Sequence, residues 1–554
     1  MLRILCVAAF VGLWWPASAG SAAPGQAAIA SAHPLATQVG MEILEAGGNA
    51  FDAAVAVSAV LGVVEPFSSG LGGGGFWLLH FAEDGRQVVV DGRETAPGEA
   101  HAAMYLDEHG EPVPGLSLNG PLAAGIPGTP AALVHVSERY GRLPLAQSLA
   151  PAIRVAREGY PIYERMRLGL NFKAEQLRRW PGSTTFLPDG EVPPLGAVQR
   201  LPGLAVVMER LIRDGLPGFY GGETAAAMVE AVRAHGGLWT LQDLADYRVI
   251  ERAPLVADLE GGVRVVLPPP PSAGGVAMIQ ALNLLQPFEL GTYDAADQAH
   301  LVIEALRRAF RDRAHLGDPD FVQMPLDRLL HPAYAAGLRA SIRIDQATPS
   351  AVFAPLHGDA DGEHTSHFSV IDAAGNRVAV TQTINGWYGS SFVVPGLDLL
   401  LNNEMDDFAV KPGAPNLYQL VGAGANNIAP GKRMLSSMTP AFIESPRGVA
   451  VLGTPGGSRI ISMVLLAVLA WMDGADAAEM VTLPRYHHQY LPDHVLHEPN
   501  AFAGAAAAVL EARGHTLQES RRLYGNMNVV TWDYEGDGVE AATDPRGRIE
   551  GWTY

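Results

Sequence analysis

GEHTSHFSVIDAAGNRVAVTQT, residues 362–383, holds two alternating runs around Ala373-Ala374-Gly375-Asn376, the punctuation of a β-hairpin. With those four residues in the turn, Thr365 faces Ile384, flanked by Thr383 and Asn385, to within one residue. Thr365, His367 and Ser369 then share one face of the first strand, and Thr381 and Thr383 share a face of the second. An ordinary buried strand would carry valines at such positions. Two readings stand. Threonine favours strands, so the cluster is a solvated face; or the hairpin opens on a threonine that does chemistry.

A threonine hydroxyl is a poor nucleophile unless a base lies beside it. If the His364–Thr365 bond is cut, the new α-amine, with a pKa near ~8, supplies that base from the same residue. The Thr365 hydroxyl can make the cut itself by attacking the preceding carbonyl, which leaves an ester for water to hydrolyse. Just upstream, Thr348–Glu363 carries Pro349, Pro355, Gly358, Gly362 and several acids. It reads as an exposed, mobile loop that gives a released end its freedom.

Outward from the hairpin, the 554-residue chain has a net charge of −20, which repels phosphate backbones and anionic lipid and so argues against nucleic-acid and membrane-surface partners. Lysine occurs only at 173, 411 and 432, so arginine carries the positive charge and favours bidentate anion recognition. The first residues, MLRILCVAAFVGLWWPASAG, read as a secretory signal over 1–19 cleaved near Ala19. The alternative is an uncleaved anchor, although the run is short for a bilayer. The only cysteine, Cys6, falls inside this segment. A mature chain would then have no disulfide, cysteine nucleophile or thiolate metal site, no stable membrane span, and a periplasmic or secreted location.

SAHPLATQVGMEILEAGGNAFDAAVAVSAVLGVVEP predicts two helices, the first stopped by Gly47-Gly48-Asn49, the second a buried one over about 50–64. The glycines of SSGLGGGGFWLLHF match G-x-G-x-x-G over 70–75. A helix precedes them and a strand follows, the reverse of a dinucleotide-binding turn, so they predict a close backbone approach instead. Residues 100–350 read as mostly helical with proline-rich breaks such as LPPPPSAGG over 267–275, where Ser272 is placed to cap the following helix. The histidines at 487, 488, 494 and 497 lack cysteine partners and regular spacing and read as structural; no G-x-S-x-G elbow is present.

HTSHFSVIDAAGNRVAVTQTIN, LLNNEMDDF, KRMLSSMTP, GTPGGSRII and PRYHHQYLPD resemble, in order and spacing, the signature blocks of the γ-glutamyltranspeptidase family within the N-terminal-nucleophile (Ntn) hydrolase superfamily. The upstream blocks SSGLGGGGF and DGRETAP are similar too, so the resemblance covers nearly the whole mature chain. It implies Thr365 as nucleophile, Thr383 as its hydrogen-bonding partner, and Gly456 and Gly457 as donors to an oxyanion. It also implies a donor head group held by Arg93, Ser436 and Ser437 at its carboxylate and by Asn385, Glu404 and Asp407 at its ammonium. Residues 412–434 resemble the family's lid loop, with Tyr418 as covering aromatic. Asn385-Gly386-Trp387-Tyr388 departs from the smaller residues often found there and sets Trp387 near the expected pocket wall.

The fold implied is α+β: a four-layer αββα sandwich of two stacked antiparallel sheets flanked by helices, the Ntn-hydrolase fold. One precursor is split into a large segment, 20–364, and a small one, 365–554, which remain together as a heterodimer in one intertwined catalytic domain. The implied activity is γ-glutamyl transfer and hydrolysis on glutathione and related compounds, with water, amino acids or peptides as acceptors and no metal or organic cofactor. Two rivals are a cephalosporin or glutaryl acylase of the same superfamily and a non-enzymatic periplasmic binding protein that keeps the pocket and never matures.

Overall fold

The computed structural model describes residues 23–353, 365–411, 413–422, 424–536 and 538–547. The expected signal segment, Cys6, His364 and most of the loop before it lie outside these residues. Two six-stranded sheets are built from β1 (Ala28–Ser31), β2 (Gly74–His80), β3 (Gln87–Gly92), β4 (Ile250–Arg252), β5 (Leu255–Asp258), β6 (Arg264–Leu267), β7 (Ser366–Ile371), β8 (Arg377–Thr383), β9 (Ala441–Ser445), β10 (Gly448–Gly453), β11 (Asn528–Asp533) and β12 (Gly538–Thr543). The first sheet runs β1-β7-β8-β2-β3-β4 and the second β12-β11-β10-β9-β6-β5, antiparallel throughout.

The hairpin is β7–β8, with His367 opposite Thr381 and Ser366 opposite Gln382. Thr365 therefore comes opposite Thr383, one residue short of the expected Ile384. The loop is three residues long, not four, because the Asp372 N–H donates to the Asn376 carbonyl at 3.0 Å and closes it earlier. Asp372 Oδ1 also accepts from the N–H groups of Ala374 and Asn376, and Gly375 takes the positive φ of 92° that such a turn requires.

Alternation along the strands sorts the layers. Trp77, Leu79, Phe368, Val370, Val378 and Val380 share a core with the helices on the outer face of the first sheet, namely α1 (Pro34–Glu45), α2 (Ala50–Val64), α3 (Thr129–Tyr140) and α4 (Leu145–Glu158). Phe76, Leu78, Ile371 and Ala379 point the other way and meet Val265, Phe442, Val451 and Val530 of the second sheet. That sheet is covered by α5 (Gly274–Leu285), α6 (Ala295–Asp312), α7 (Ile460–Met472) and α8 (Ala477–Thr482). The order is helix, sheet, sheet, helix, the expected αββα sandwich. Helix α2 is buried along its whole length and starts from an Asn49–Asp52 capping box.

The solvated-face reading of the hairpin fails. Thr365, His367, Ser369, Thr381 and Thr383 are all at least 96% buried, at the junction of the two sheets, where Ser369 and His367 bond to Asn528 of β11. His367 Nδ1 lies 2.8 Å from Thr381 Oγ1 and its Nε2 3.1 Å from Ser369 Oγ. Burial pushes its pKa down to about 3, so it is a neutral hydrogen-bonding core residue at working pH.

Two expectations need correction. The segment 100–350, read as mostly helical, also supplies β4, β5 and β6, which finish the edges of both sheets. These strands hold three or four residues each, too few to set up a legible alternation. The loop thought mobile from Thr348 starts firmly, with the Thr348 N–H on Glu304 Oε1 at 3.0 Å and the Ser350 N–H on Asp493 Oδ2 at 2.7 Å. Ser272 bonds the start of α5 as expected, its Oγ accepting from the Gly274 N–H at 3.0 Å, although Ala273 occupies the cap position.

Candidate active site

Thr365 stands at the mouth of β7 with Oγ1 3.3 Å from Thr383 Oγ1. Thr383 Oγ1 also accepts from the Asn385 N–H at 2.8 Å, which fixes the turn after β8, where Asn385 adopts a φ of 70°. The glycine run makes this possible. A Cβ on Gly73 would lie 2.0 Å from the Thr383 carbonyl oxygen, so only glycine lets the α2–β2 connection press against the end of β8. Gly73 O in turn accepts from the Gly128 and Thr129 N–H groups. The glycines thus do what their context predicted, a close backbone approach.

A short turn, Glu404–Asp407, is spliced onto the same strand end by Asn402 and Asn403. Asn402 Oδ1 accepts from the N–H groups of Glu404 and Gly125, Asn403 Oδ1 from that of Gly386, and the Asn403 carbonyl from Asn385 Nδ2. Arg93, fully buried, donates to Glu404 Oε1, to Asp407 Oδ2 at 2.5 Å and to the Met434 carbonyl at 3.1 Å. Glu94 Oε2 lies 3.6 Å from the same guanidinium. Burial raises the pKa values of all three carboxyls, Glu94 to about 7, with Arg93 pulling the other way. Burial opposes the charge of Arg93, but Glu404, Asp407 and Glu94 together more than offset it. Glu404 Oε2 and both Glu94 oxygens have no hydrogen-bond partner among the described residues.

Thr365, Thr383, Asn385, Glu404, Asp407, Ser436, Ser437, Tyr418 and Gly457 line one cavity. Of the residues singled out in the sequence, Arg93 lies behind the acids rather than on the wall, Gly456 sits one residue behind Gly457, and His364 is outside the described residues. Gly456 and Gly457 follow β10 with φ of 143° and 58°, and neither amide N–H has an acceptor among the described residues. Ser436 is tied to the proline run through its N–H on the Pro271 carbonyl at 2.8 Å. Tyr418 donates its hydroxyl to the Asn385 carbonyl at 3.0 Å and lays its ring on Gly457, where a Cβ would be 2.3 Å from a ring carbon. Its own carbonyl accepts from Gln489 at 3.0 Å, so the PRYHHQYLPD block reaches the cavity through a glutamine. The histidines around it are structural: His487 bonds Ser462 and Gln489, His488 bonds Asp493, and His497 bonds a backbone carbonyl.

The sequence reading passed over Arg313, which also lines the cavity. It follows α6 in FRDRAHLGDP, where nothing in the helical pattern separates it from neighbouring arginines. Asn402 and Asn403 were inside a quoted motif without a role, and Glu94 was overlooked beside Arg93. Trp387, expected near the cavity wall, is not itself among the lining residues. Its ring stacks on Phe67 with centroids 5.2 Å apart and sits against Gly169, on the side of the α-helix Glu164–Arg178.

The family model described as Gamma-glutamyltranspeptidase matches residues 36–553. The chain belongs to the γ-glutamyltranspeptidase family. Similar members include the glutathione hydrolase proenzyme of Escherichia coli K12, 39% identical over 94% of this chain and 90% of that protein. The glutathione hydrolase proenzyme of Pseudomonas sp. A14 is 40% identical over 88% of this chain and 85% of its own length. Among solved structures, a cephalosporin acylase from Bacillus halodurans superposes with a TM-score of 0.83 at 29% identity, covering 99% of this chain and all of the other. The γ-glutamyltranspeptidase fold is thus present over the whole described chain, and the cavity beside Thr365 is where its chemistry is to be sought.

Proposed function

We propose that the protein is a self-processing γ-glutamyl transferase and hydrolase whose nucleophile is Thr365. In maturation, Thr365 Oγ attacks the carbonyl carbon of His364, and the acyl group moves from nitrogen to oxygen. Water then hydrolyses the ester, leaving a carboxylate on His364 and a free amine on Thr365. In turnover that amine takes the hydroxyl proton as Oγ attacks the γ-carbonyl of glutathione or a related donor. The proton passes to the departing amine, and the γ-glutamyl-Thr365 ester goes to water, an amino acid or a peptide. Thr383 holds the hydroxyl in line. The unpaired N–H groups of Gly456 and Gly457 meet the developing oxyanion.

In the head-group site, Glu404, Asp407 and Asn385 receive the donor ammonium. Arg93, once those acids turn to the ammonium, shares the carboxylate with Ser436 and Ser437. Tyr418 roofs the cavity and keeps water out, which favours transfer to an amine. Neither step calls for a metal or organic cofactor. The observation that carries this reading is the buried Thr365–Thr383 pair opening on a cavity that holds both acids and hydroxyls. The cut segments would stay together as a heterodimer, and the N-terminal signal would send the precursor to the periplasm or medium.

A glutaryl or cephalosporin acylase is the second reading, since a cephalosporin acylase shares the fold. Its acyl group lacks the ammonium and would leave Glu404 and Asp407 buried without a cationic substrate partner, so γ-glutamyl donors fit better. The test is intact mass and turnover together: two fragments meeting at 364/365, and release of glutamate from glutathione in preference to cleavage of a glutaryl-cephalosporin. Thr365→Ala is expected to stay as one chain without activity, and Thr365→Ser to keep part of both. An uncut chain with full activity, or a Thr365→Ala protein that still turns over, overturns the reading. An uncut, inactive protein that binds the donor supports the non-enzymatic binder.

A further inference from the structure

A second constraint reaches Thr365 from the far side of the first sheet. Alternation turns Ser366 and Gln382, the neighbours of Thr365 and Thr383, away from the cavity and onto the helical layer that Phe368, Val370, Val378 and Val380 also face. There both meet the end of α2. Ser366 Oγ donates to Glu65 Oε2 at 2.7 Å, and Gln382 bonds Ser58 within the helix and Ser69 Oγ, at 3.1 Å, just after it. Glu65 caps α2 and is 2% exposed. Its platform is fixed: the Glu65 carbonyl accepts from the N–H groups of Ser68 and Ser69, and the Phe67 and Ser68 carbonyls accept from those of Tyr388 and Ile384. Burial pushes the Glu65 pKa up, with Arg165 and the Ser366 bond opposing the shift. In either protonation state the carboxyl keeps an acceptor for Ser366.

The two anchors serve strands in different conditions. β8 is paired on both sides to its end, with β2 as far as Thr383 and with β7 as far as Gln382. β7 loses β1 at Phe368 and is paired with β8 alone over Ser366 and His367. While the chain is continuous, the peptide link to His364 restrains Thr365 from behind. After the cut of the proposed maturation that restraint is gone, and Thr365 becomes the first residue of a half-paired strand, where chains fray. A nucleophile whose own amine is the base loses both groups whenever that end swings away. We propose that the Glu65–Ser366 bond pins the new N-terminus and holds Thr365 beside Thr383 during turnover. Glu65 belongs to the large segment and Ser366 to the small one, so a non-covalent tie takes over from the severed link. Both are positioning residues, acting on the acyl group only through Thr365. This inference rests on the self-processing reading of Thr365.

The rate of fragment appearance measures the cut, and kcat and KM on γ-glutamyl-p-nitroanilide measure the matured protein. Ser366→Ala and Glu65→Ala are each expected to lower kcat by roughly 5- to 50-fold, the loss of a buried hydrogen bond to a carboxyl group, with KM within about 2-fold and the cutting rate within about 3-fold. Glu65→Gln keeps an acceptor and Ser366→Thr keeps the hydroxyl, so both are expected to recover most of the loss. Joining Ser366→Ala to Glu65→Ala is expected to cost no more than either change alone, since the second finds the bond already broken. Matured alanine variants with unchanged kcat overturn the inference. So do losses that fall equally on cutting and turnover, losses that multiply in the double variant, or the absence of rescue by Glu65→Gln; each makes the contact a general structural one. If Glu65→Ala does not fold, Ser366→Ala and Ser366→Thr decide alone. Failure of both alanine variants to mature counts against the pin, because the intact peptide link spares the cut. A wild type that stays uncut or ignores the donor overturns the functional reading instead.

Discussion

Thr365 and Thr383 face each other because a three-residue hairpin loop sets the register, and each atom of the pair has more than one duty. Thr383 Oγ1 lies 3.3 Å from the Thr365 hydroxyl, the proposed nucleophile, and receives the Asn385 N–H at 2.8 Å. Alanine at 383 therefore removes the partner of the Thr365 hydroxyl and leaves a buried N–H unpaired, at a cost of about 1–3 kcal/mol. Thr383→Ala is expected to lower kcat by roughly 5- to 100-fold and to slow self-cutting, with a smaller change in KM. Thr383→Ser, which keeps the oxygen, should recover most of both. The measurement is steady-state kinetics on matured protein beside the rate of fragment appearance. An alanine variant with unchanged kcat would show that the hydroxyl pair has no part in the chemistry. At this scale the sequence was legible where polar residues break a strand's apolar pattern, as with Thr365 at the mouth of β7 and Thr383 opposite it, which the structure brings together. It was illegible for Arg313, whose place on the cavity wall depends on distant segments coming together.

At the scale of elements, the Tyr418 roof hangs from the acid turn below it. Asp406 accepts from the Leu417 N–H at 2.7 Å and from Ser117 Oγ at 2.6 Å, while Asn416 donates to Asp407 at 3.2 Å and accepts from the N–H groups of Tyr418 and Leu420. Burial raises the Asp406 pKa from an ordinary 3.8 to about 7. The folded state thus holds this proton more tightly than the unfolded chain, and the associated stability is fully present below about pH 4 and lost as pH climbs through 7. Asp406→Asn keeps an acceptor for Leu417 and cannot ionise. Its stability relative to wild type should rise between pH 4 and 7, by at most about 4 kcal/mol. Thermal melts of the two proteins at several pH values check this, and parallel curves would refute it. Removal of the roof by Tyr418→Ala is expected to shift product from transfer toward hydrolysis by several-fold, read from the product ratio with a dipeptide acceptor. The elements that were legible, α2 and the hairpin, have long runs and clear punctuation. The strands β4, β5 and β6 were not: β4 and β5 are sheet edges and β6 lies one strand in from β5, and runs of three or four residues are too short to set up an alternation of their own.

At the scale of the whole molecule, the point expected to be cut runs between elements that never separate in space. In the first sheet, β7 and β8 from the later segment lie between β1 and β2 from the earlier one, and in the second, β5 and β6 from the earlier segment complete a row that β9 to β12 begin. Each sheet therefore needs both segments to pair its backbone groups, and the core between the sheets draws side chains from both. A length of 554 residues alone would allow roughly three or four domains, whereas two sheets threaded by both halves leave no seam along which to divide them. Cutting at 364/365 is then expected to leave the two fragments inseparable under native conditions, with no disulfide required, and to give one cooperative unfolding transition for both. Size-exclusion chromatography without denaturant should return a single species containing both masses in equal amounts. Fluorescence and fragment dissociation should follow the same denaturant midpoint, since neither piece can bury its strand edges alone. Separation of a folded 365–554 fragment from its companion in the absence of denaturant would contradict the interleaved topology.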